Sequence, residues 1–373
     1  MYALYTAFVT AGQLFGVWAN WFGTLDPACL LVVFILPTIA SGINDALSAV
    51  WATGFTAKQG KIADLGRCIA SKPGIIVIAA AALGGPIASA AYVIALSQAG
   101  TLAVPIAALN PAIGAILARI FYRQPLGPRV GVGIGICVIA GAMIGGAGLG
   151  GQPAPGMALG LGLALLAALC WGVEGCVGGR ATCMIDPQIA INIRQLVSGL
   201  GNLCLVLPVL TLACGEPLGQ SCAYVAHALT DGSSIAFFAC SGFAAYFSFM
   251  SWYRANAMCG TALGMAINGT YTFTAPLLTW VIVGLVLGFD GYALPSVAWI
   301  AAVVNLLGIC LIAVNPLDAV KKSRRIGCYR LTMPCSSTLP VTTRPALMTS
   351  WQSLHPNTRH LPHSPSRVCK RRS

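Results

Sequence analysis

Apolar residues along this chain cluster in long stretches, and polar residues gather in the short segments between them. An α-helix needs roughly 20 apolar residues to cross the hydrocarbon core of a bilayer. The outer helices of a soluble helical protein would be amphipathic, with a charged face toward water, and these stretches show no such face. The pattern therefore predicts an all-α polytopic membrane protein with ten transmembrane helices, at approximately 2–23, 29–52, 74–97, 101–121, 130–149, 157–178, 188–213, 233–253, 261–288 and 296–315.

The charges between the stretches predict how the chain is oriented. With the N-terminus in the cytoplasm, the outer loops contain acidic residues but no Lys or Arg, these loops being 24–28, 98–100, 150–156, 214–232 and 289–295. All ten basic residues before residue 319 then fall on or beside the inner side. Because cytoplasmic loops are enriched in Lys and Arg, this asymmetry predicts that both termini are cytoplasmic. We expect the protein in the plasma (inner) membrane.

Composition supports a membrane protein and argues against a nucleic-acid partner. Apolar residues make up 57% of the 373 residues and charged residues 8%, against about 25% charged in ordinary soluble domains. Most of the net charge of +12 comes from residues 319–373, which hold 11 of the 21 Lys and Arg and no acid, so the preceding residues carry only +1. That tail is rich in Pro, Ser, Thr and Arg, a composition that predicts disorder.

Weak internal similarity divides the membrane part into two halves. A shift of 160 places residues 95–101 on 255–261, and a shift of 173 superposes 135–137 on 308–310. Such matches relate the third, fourth and fifth stretches to the eighth, ninth and tenth. Because each half has an odd number of helices, the halves would enter the membrane in opposite senses. The sequence thus predicts an inverted 5+5 repeat, residues 1–149 and 157–316, followed by a disordered basic cytoplasmic tail at 317–373.

Three segments carry a family resemblance. They are the run from Leu-Gly-Gly-Pro at 83–86 to Asn110-Pro111, the glycine-rich run 133–141, and Trp171-Gly172 with the apolar residues before it. They resemble, in turn, the third and fourth helices, the fifth helix and the repeat-opening Trp-Gly pattern of the drug/metabolite transporter superfamily, in particular its EamA-type members. The glutamate often found after the family's fourth helix is absent here. The resemblance implies a secondary transporter of amino acids, other small metabolites or organic cations, with a central cavity between the repeats.

Ionisable residues inside the predicted helices are costly and are therefore candidates for function. Glu174 lies in the sixth stretch, one turn beyond Trp171. A carboxyl group in low-dielectric surroundings favours its protonated form, which suits coupling to a proton gradient or pairing with a cationic substrate. The alternative is a structural partnership with Arg180 or Arg194.

Two further ionisable sites each allow two interpretations. Asn44 and Asp45 lie in the second stretch, where they would bind substrate or the coupling ion, but Asp45 would alternatively lie near the inner interface beside Lys58 or a lipid headgroup. Arg194 has a planar guanidinium that suits a substrate carboxylate. An anchor at the inner interface is its favoured role.

Polar residues beside helix-breaking positions add candidates. Asn110 stands before a proline in the fourth stretch, and Asn268 and Tyr271 flank a Gly-Thr pair in the ninth. Such positions can free backbone polar groups toward a cavity, so these side chains would contact substrate or form interhelical hydrogen bonds. The aromatic candidates for stacking on substrate, with ordinary packing as the alternative, are Tyr92, Trp171 and Trp252.

These features favour a secondary active transporter of a small metabolite, coupled to protons and working by alternating access. The alternatives are a non-transporting membrane scaffold or regulator and an intramembrane enzyme acting on lipid. Such an enzyme would need paired acids or a histidine base, and the apolar stretches contain no paired-acid motif and no histidine. The chain contains no Gly-Lys-Ser/Thr motif, so we expect no ATP use, and we expect no enzymatic activity, cofactor or metal. The expected partners are substrate and lipid; Gly131 and Gly135 favour packing within one molecule, with a homodimer as the alternative.

Overall fold

Every element of the structure is helical. The protein is represented by a computed structural model that describes residues 1–15, 34–99, 103–107, 109–123, 127–146, 157–181, 184–259, 264–265, 268–269, 271–289 and 296–313. No strand occurs within these ranges, which confirms the all-α class for this part of the chain. The predicted disordered tail, 317–373, lies outside the described residues.

The described residues of the first half form a series of helices. They are α1 (Tyr2–Gln13), α2 (Leu36–Lys58), α3 (Ile62–Ile69), α4 (Lys72–Ala82), α5 (Ala88–Ala99), α6 (Ala103–Ala107), α7 (Asn110–Tyr122) and α8 (Pro128–Gly146). A π-helical segment, Leu83–Ile87, joins α4 to α5. Ser71 immediately precedes α4 and caps its first turn, because the Ser71 hydroxyl accepts the backbone N–H of Gly74 at 3.1 Å.

The described residues of the second half also form a series of helices. Its helices are α9 (Met157–Ala181), α10 (Pro187–Gly201), α11 (Leu207–Ala213), α12 (Leu218–Thr230), α13 (Gly232–Cys259), α14 (Tyr271–Thr279) and α15 (Ser296–Ala313). The π-helical segments Asn202–Val206 and Trp280–Val286 follow α10 and α14. Asp186 caps α10 by accepting the backbone N–H of Gln188 at 2.8 Å, and Pro187 stands in the first turn, where its missing N–H costs nothing.

Several helical segments have the character of membrane spans. Four are long and apolar enough to cross a membrane: Lys72–Tyr92, Met157–Ala181, Pro187–Ala213 and Gly232–Asn256. Shorter apolar helices occur at Pro128–Ala140, Leu277–Val286 and Trp299–Gly308. Large apolar side chains such as Phe121 and Val286 are mostly exposed, as expected for surfaces that face lipid. A membrane location therefore fits the structure.

Two sequence-based boundaries are wrong. Residues 214–232 were expected to form a loop, yet they contain α12, whose Ser221, Tyr224 and Ala228 are spaced at helical intervals and buried. The fourth predicted span, 101–121, is divided into α6 and α7. Asn110 and Pro111 begin α7, because proline lacks the N–H that would continue a helix. Of the predicted span 2–23, the structure describes residues 2–15.

Helices from the two halves pack against each other throughout the bundle. α2 packs against α10 and α13, and α10 also packs against α4. α1 packs against α13 and α14, α9 packs against α5 and α7, and α8 packs against α15. Glycines allow the closest approaches: Gly199 on α10 lies against the backbone of Ala46, and Gly308 on α15 lies against that of Gly133 on α8. By contrast, Gly131 and Gly135 are exposed in the part of the chain that the structure describes.

Replacing Gly199 with alanine should destabilise the protein, because the added Cβ would lie 2.7 Å from the backbone nitrogen of Ala46. Overpacking of this kind costs about 1–3 kcal/mol, so we expect a lower Tm for the purified protein in detergent. Gly162→Ala is the control, since no described atom would lie within 4 Å of its Cβ. Equal Tm values for the Gly199→Ala and wild-type proteins would contradict the observed α2–α10 packing.

Candidate functional site

Three charged side chains from separate helices meet in the interior of the bundle. Nε of Arg194 on α10 donates to Oε1 of Glu174 on α9 at 2.8 Å, and Nη1 of Arg194 lies 3.7 Å from Oδ2 of Asp45 on α2. Glu174 is 1% exposed, Arg194 4% and Asp45 6%. Burying a charge is unfavourable unless it is paired, and here one guanidinium serves two carboxylates. With both acids ionised, this Arg194 trio carries one excess negative charge.

The guanidinium of Arg194 is held by neighbours on its own helix and on α13. Nη1 donates to Oε1 of Gln195 at 2.5 Å, and the Gln195 amide donates to the hydroxyl of Ser48 on α2. The guanidinium carbon lies 4.0 Å from the ring centroid of Phe249, a cation–π contact. Arg194 is therefore fixed within the bundle, and its favoured role as an anchor at the inner interface stays a prediction.

Asp45 has its own set of hydrogen bonds. Oδ2 accepts the hydroxyl of Ser198 at 2.5 Å, and Oδ1 accepts the side-chain amide of Asn44 at 3.1 Å. Oδ1 of Asn44 in turn accepts the hydroxyl of Ser241 on α13 at 2.6 Å. The alternative pairing of Asp45 with Lys58 is wrong, because Asp45 is buried beside Arg194 and Ser198 whereas Lys58 is exposed at the end of α2. A position near the inner interface stays a prediction.

Glu174 packs against the interruption between α4 and α5. The hydroxyl of Tyr253 donates to Oε1 of Glu174 at 3.2 Å, and a Cβ at Gly84 would overlap the carboxylate. The indole N–H of Trp171, one turn before Glu174, donates to the carbonyl oxygen of Gly84 at 2.8 Å. Gly84 belongs to the π-helical segment Leu83–Ile87, and π-helical segments frequently occur at functional sites.

The aromatic candidates lie beside the helix that carries Glu174. The ring of Tyr92 makes an edge contact with Trp171 at a centroid distance of 5.3 Å. The ring of Trp252 packs against Gly175, the residue after Glu174. Trp252 is 8% exposed, and its indole N–H has no hydrogen-bond partner within the described ranges.

A hydrogen bond between Asn110 and Tyr271 joins α7 to α14, two helices that are far apart in the sequence. This is the interhelical hydrogen bond that was expected as one of the two roles of these residues. The amide of Asn110 donates to the hydroxyl of Tyr271 at 3.4 Å. Tyr5 on α1 lies beside the hydrogen-bond network of the trio, because its backbone carbonyl oxygen accepts the hydroxyl of Ser241 at 3.0 Å. Asn268 is half-buried and is not joined to the trio by the described contacts.

Sequence inspection missed several residues of the network. These are Tyr5, Ser48, Ser198, Ser241, Phe249 and Tyr253. A signal did exist for Ser198, since polar residues recur at helical spacing along α10 at Gln188, Asn192, Gln195 and Ser198. The aromatic residues gave no such signal, because aromatic side chains are common throughout apolar helices.

The polar face of α10 continues from the trio toward the beginning of the helix. The amide of Gln188 donates to Oγ1 of Thr56 at 3.2 Å, the amide of Asn192 donates to the same atom at 3.1 Å, and Thr53 donates to Asn192 at 3.0 Å. The hydroxyl of Tyr246 on α13 donates to Gln188. Hydrogen bonds between polar side chains therefore hold α2 against α10 over several turns.

An ion pair lies at the end of this polar face, at the beginning of α10. Nζ of Lys61 lies 2.5 Å from Oδ2 of Asp186. Burial alone would raise the pKa of the Asp186 carboxyl, but the hydrogen bonds from Lys61 and from the backbone N–H of Gln188, together with the Lys61 charge, lower that pKa below its ordinary value. The pair connects the segment between α2 and α3 to α10.

Within the described ranges, no group of three or more His, Cys, Asp or Glu side chains is placed to hold a metal ion. The absence of a metal and of a cofactor stays a prediction.

Comparison with known proteins identifies no family. No family model and no curated protein matches the chain. Among solved structures, one described only as "Crystal structure of protein" is 18% identical, with a TM-score of 0.48 over 87% of this chain and 98% of that chain.

Replacing Arg194 with glutamine should destabilise the protein strongly, because it leaves two carboxylates buried without their shared cation. Removing one partner of a buried ion pair typically costs about 3–5 kcal/mol, which should appear as a lower Tm at neutral pH. Combining Arg194→Gln with Glu174→Gln should recover part of the loss. Arg180→Gln, at an exposed position on α9, is the control; equal effects of the two single changes would contradict the trio.

The Lys61–Asp186 pair should give a small, pH-dependent contribution to stability. Because the pKa of Asp186 is lower in the folded protein than in the unfolded chain, the pair stabilises the fold above about pH 4, and this contribution is lost as the pH falls through the lowered pKa. The Tm difference between the wild type and Asp186→Asn should therefore be present at neutral pH and vanish in strong acid. Both side chains are 35% exposed, so screening keeps the difference small. A difference that grew on acidification would contradict this assignment.

Proposed function

We propose that the protein is a secondary active transporter that moves a small metabolite in exchange with, or together with, protons. The observation that carries this proposal is the Arg194 trio, in which two buried carboxylates share one buried guanidinium. A cluster that is short of one positive charge inside a membrane is neutralised by a proton or by a cationic group of a substrate. Ionisable residues in such positions typically mark ion and substrate pathways.

The trio offers a physical route for coupling. Glu174 and Asp45 share the same guanidinium, so a change of charge at either carboxylate alters the electrostatic surroundings of the other. With one proton bound, the trio is neutral. Loss of that proton restores the excess negative charge and favours a cationic group nearby, so proton release and substrate binding are linked through the same charge.

The helix packing supports an arrangement of two inverted five-helix repeats. The first helices of the proposed repeats, α1 and α9, each pack against the third and fourth helices of the other repeat, α13 with α14 and α5 with α7. The second helices, α2 and α10, pack against each other, and so do the fifth helices, α8 and α15. Exchanging the two sets of helices leaves this pattern unchanged, as a pseudo-two-fold axis requires.

The proposed boundary between the repeats passes through the trio. Asp45 belongs to the first repeat, whereas Glu174 and Arg194 belong to the second. Movement of one repeat against the other would therefore alter the Arg194–Asp45 and Ser198–Asp45 contacts while leaving the Glu174–Arg194 bond within its repeat. Protonation of the carboxylates would weaken the contacts that hold the repeats together, which connects coupling to alternating access.

The surrounding residues suggest where a substrate would bind. The buried and unpartnered indole N–H of Trp252 lies beside the helix that carries Glu174, and Tyr92 contacts Trp171, one turn earlier on that helix. Amino acids, other small metabolites and organic cations all contain groups that these side chains and the trio could bind. We place the protein among EamA-type members of the drug/metabolite transporter superfamily, with ten spans and both termini cytoplasmic in the plasma membrane.

Transport in liposomes tests this function. Purified protein is reconstituted, a proton gradient is imposed, and uptake is measured for a panel of labelled amino acids, polyamines and organic cations. We expect at least one solute to move in response to the gradient. Glu174→Gln and Asp45→Asn should each reduce the gradient-driven rate about ten-fold or more, equivalent to about 1.4 kcal/mol of lost interaction.

Glu216→Gln is the matched control, because it makes the same chemical change between α11 and α12, away from the trio. It should leave the rate unchanged. If the gradient moves a solute and Glu174→Gln and Asp45→Asn behave like Glu216→Gln, the coupling role of the trio is wrong. If no solute moves, and cells with and without the protein take up the same panel equally, the transport proposal is wrong.

A further inference from the structure

The segment between α2 and α4 stands at a membrane boundary. It contains α3 and ends at Lys72, where the candidate span Lys72–Tyr92 begins. Its Lys61 is bound to Asp186, which immediately precedes the candidate span Pro187–Ala213. Two spans therefore begin beside this segment, so it lies at the level of the lipid headgroups if these helices cross the bilayer.

α3 has the character of a helix that lies along a membrane surface. It has eight residues, corresponding to a length of about 12 Å, too short to cross a bilayer. Leu65 is buried against the bundle, whereas Ile62 and Ile69, on the same side of the helix, are 44% and 39% exposed. Arg67 projects from the other side, with its side chain 78% exposed. Apolar residues on one face and a basic residue on the other are typical of interfacial helices.

The charge of this segment favours an anionic partner. Residues 58–72 contain four basic residues and one acidic residue. Lys58, Arg67 and Lys72 are exposed. Basic residues at the membrane surface attract anionic lipids, and several acting together strengthen the attraction.

An open cavity of about 390 Å³ lies between α3 and the beginning of α10. Its charged lining consists of Lys61 and Arg67 with their partners Asp186 and Asp64, and its apolar lining includes Ile185 and Ile189. Arg67 is paired with Asp64, but this pair is exposed, and exposed pairs contribute little stability. A phosphate group could therefore replace Asp64 as the partner of the Arg67 guanidinium, which can bind phosphate through two parallel hydrogen bonds.

We propose that residues 58–72 form a binding surface for an anionic phospholipid. The phosphate of the headgroup is bound by Arg67 at the cavity, Lys58 and Lys72 add electrostatic attraction, and Ile62 and Ile69 contact the acyl chains. This site is separate from the Arg194 trio and does not depend on whether the protein transports a solute.

Lipid retention tests the proposal on the full chain. The protein is placed in nanodiscs of phosphatidylcholine with a minor fraction of phosphatidylglycerol, and native mass spectrometry after release measures the ratio of the two lipids that stay bound. We expect phosphatidylglycerol to be enriched over its supplied fraction. The triple variant Lys58→Gln/Arg67→Gln/Lys72→Gln should reduce that enrichment about ten-fold or more, since each basic residue near an anionic surface contributes a several-fold factor.

Arg119→Gln/Arg123→Gln/Arg129→Gln is the matched control, because it removes three cations at the end of α7 and the beginning of α8. It should leave the enrichment close to that of the wild type. Ile62→Ser/Ile69→Ser is a second, independent variant that keeps all charges and should also lower retention. Equal losses from the two triple variants would show a diffuse charge effect and overturn the site. Displacement of the lipid by inorganic phosphate at matched concentration would also overturn it, because the ligand would then be free phosphate.

Discussion

One guanidinium shared by two carboxylates is the constraint on which the centre of this protein depends. Arg194, Glu174 and Asp45 are each almost fully buried, and any one of them would be costly without the others. Their neighbours meet the remaining hydrogen-bonding needs: Ser198 and Asn44 at Asp45, Tyr253 at Glu174, and Gln195 at Arg194. The trio therefore dictates which polar side chains α2, α9, α10 and α13 must present to one another.

Two π-helical segments lie beside the trio. Glu174 reaches its position only because Gly84 has no side chain, and Gly84 lies in a π-helical segment that also contains Pro86. α10 changes to π-helical geometry at Asn202, one turn after Ser198 contacts Asp45. Irregular helix geometry frees backbone polar groups and is tolerated inside membranes where the protein itself surrounds them. Both irregular segments lie close to the trio, where a transporter would need to change shape.

α10 connects the central site to the membrane boundary. Its capping residue Asp186 binds Lys61, its first turns bind Thr56 through Gln188 and Asn192, and Arg194 then enters the trio. A lipid bound between α3 and α10 would act on the beginning of this same helix. The proposed lipid site and the proposed transport site therefore share one structural element, although they rest on different observations and can be tested separately.

The sequence alone was enough to predict the helical class of this protein and its candidate charged residues. The helical class follows from long apolar stretches, because a backbone in lipid must satisfy its hydrogen bonds within each helix. Glu174, Asp45 and Arg194 were singled out individually, because charges within apolar stretches are rare and costly. Helix α12 was missed. Only the tertiary structure decided that the three charges meet, because their pairing depends on how α2, α9 and α10 pack. The residues next to a charge in the sequence do not indicate which distant residue it will contact.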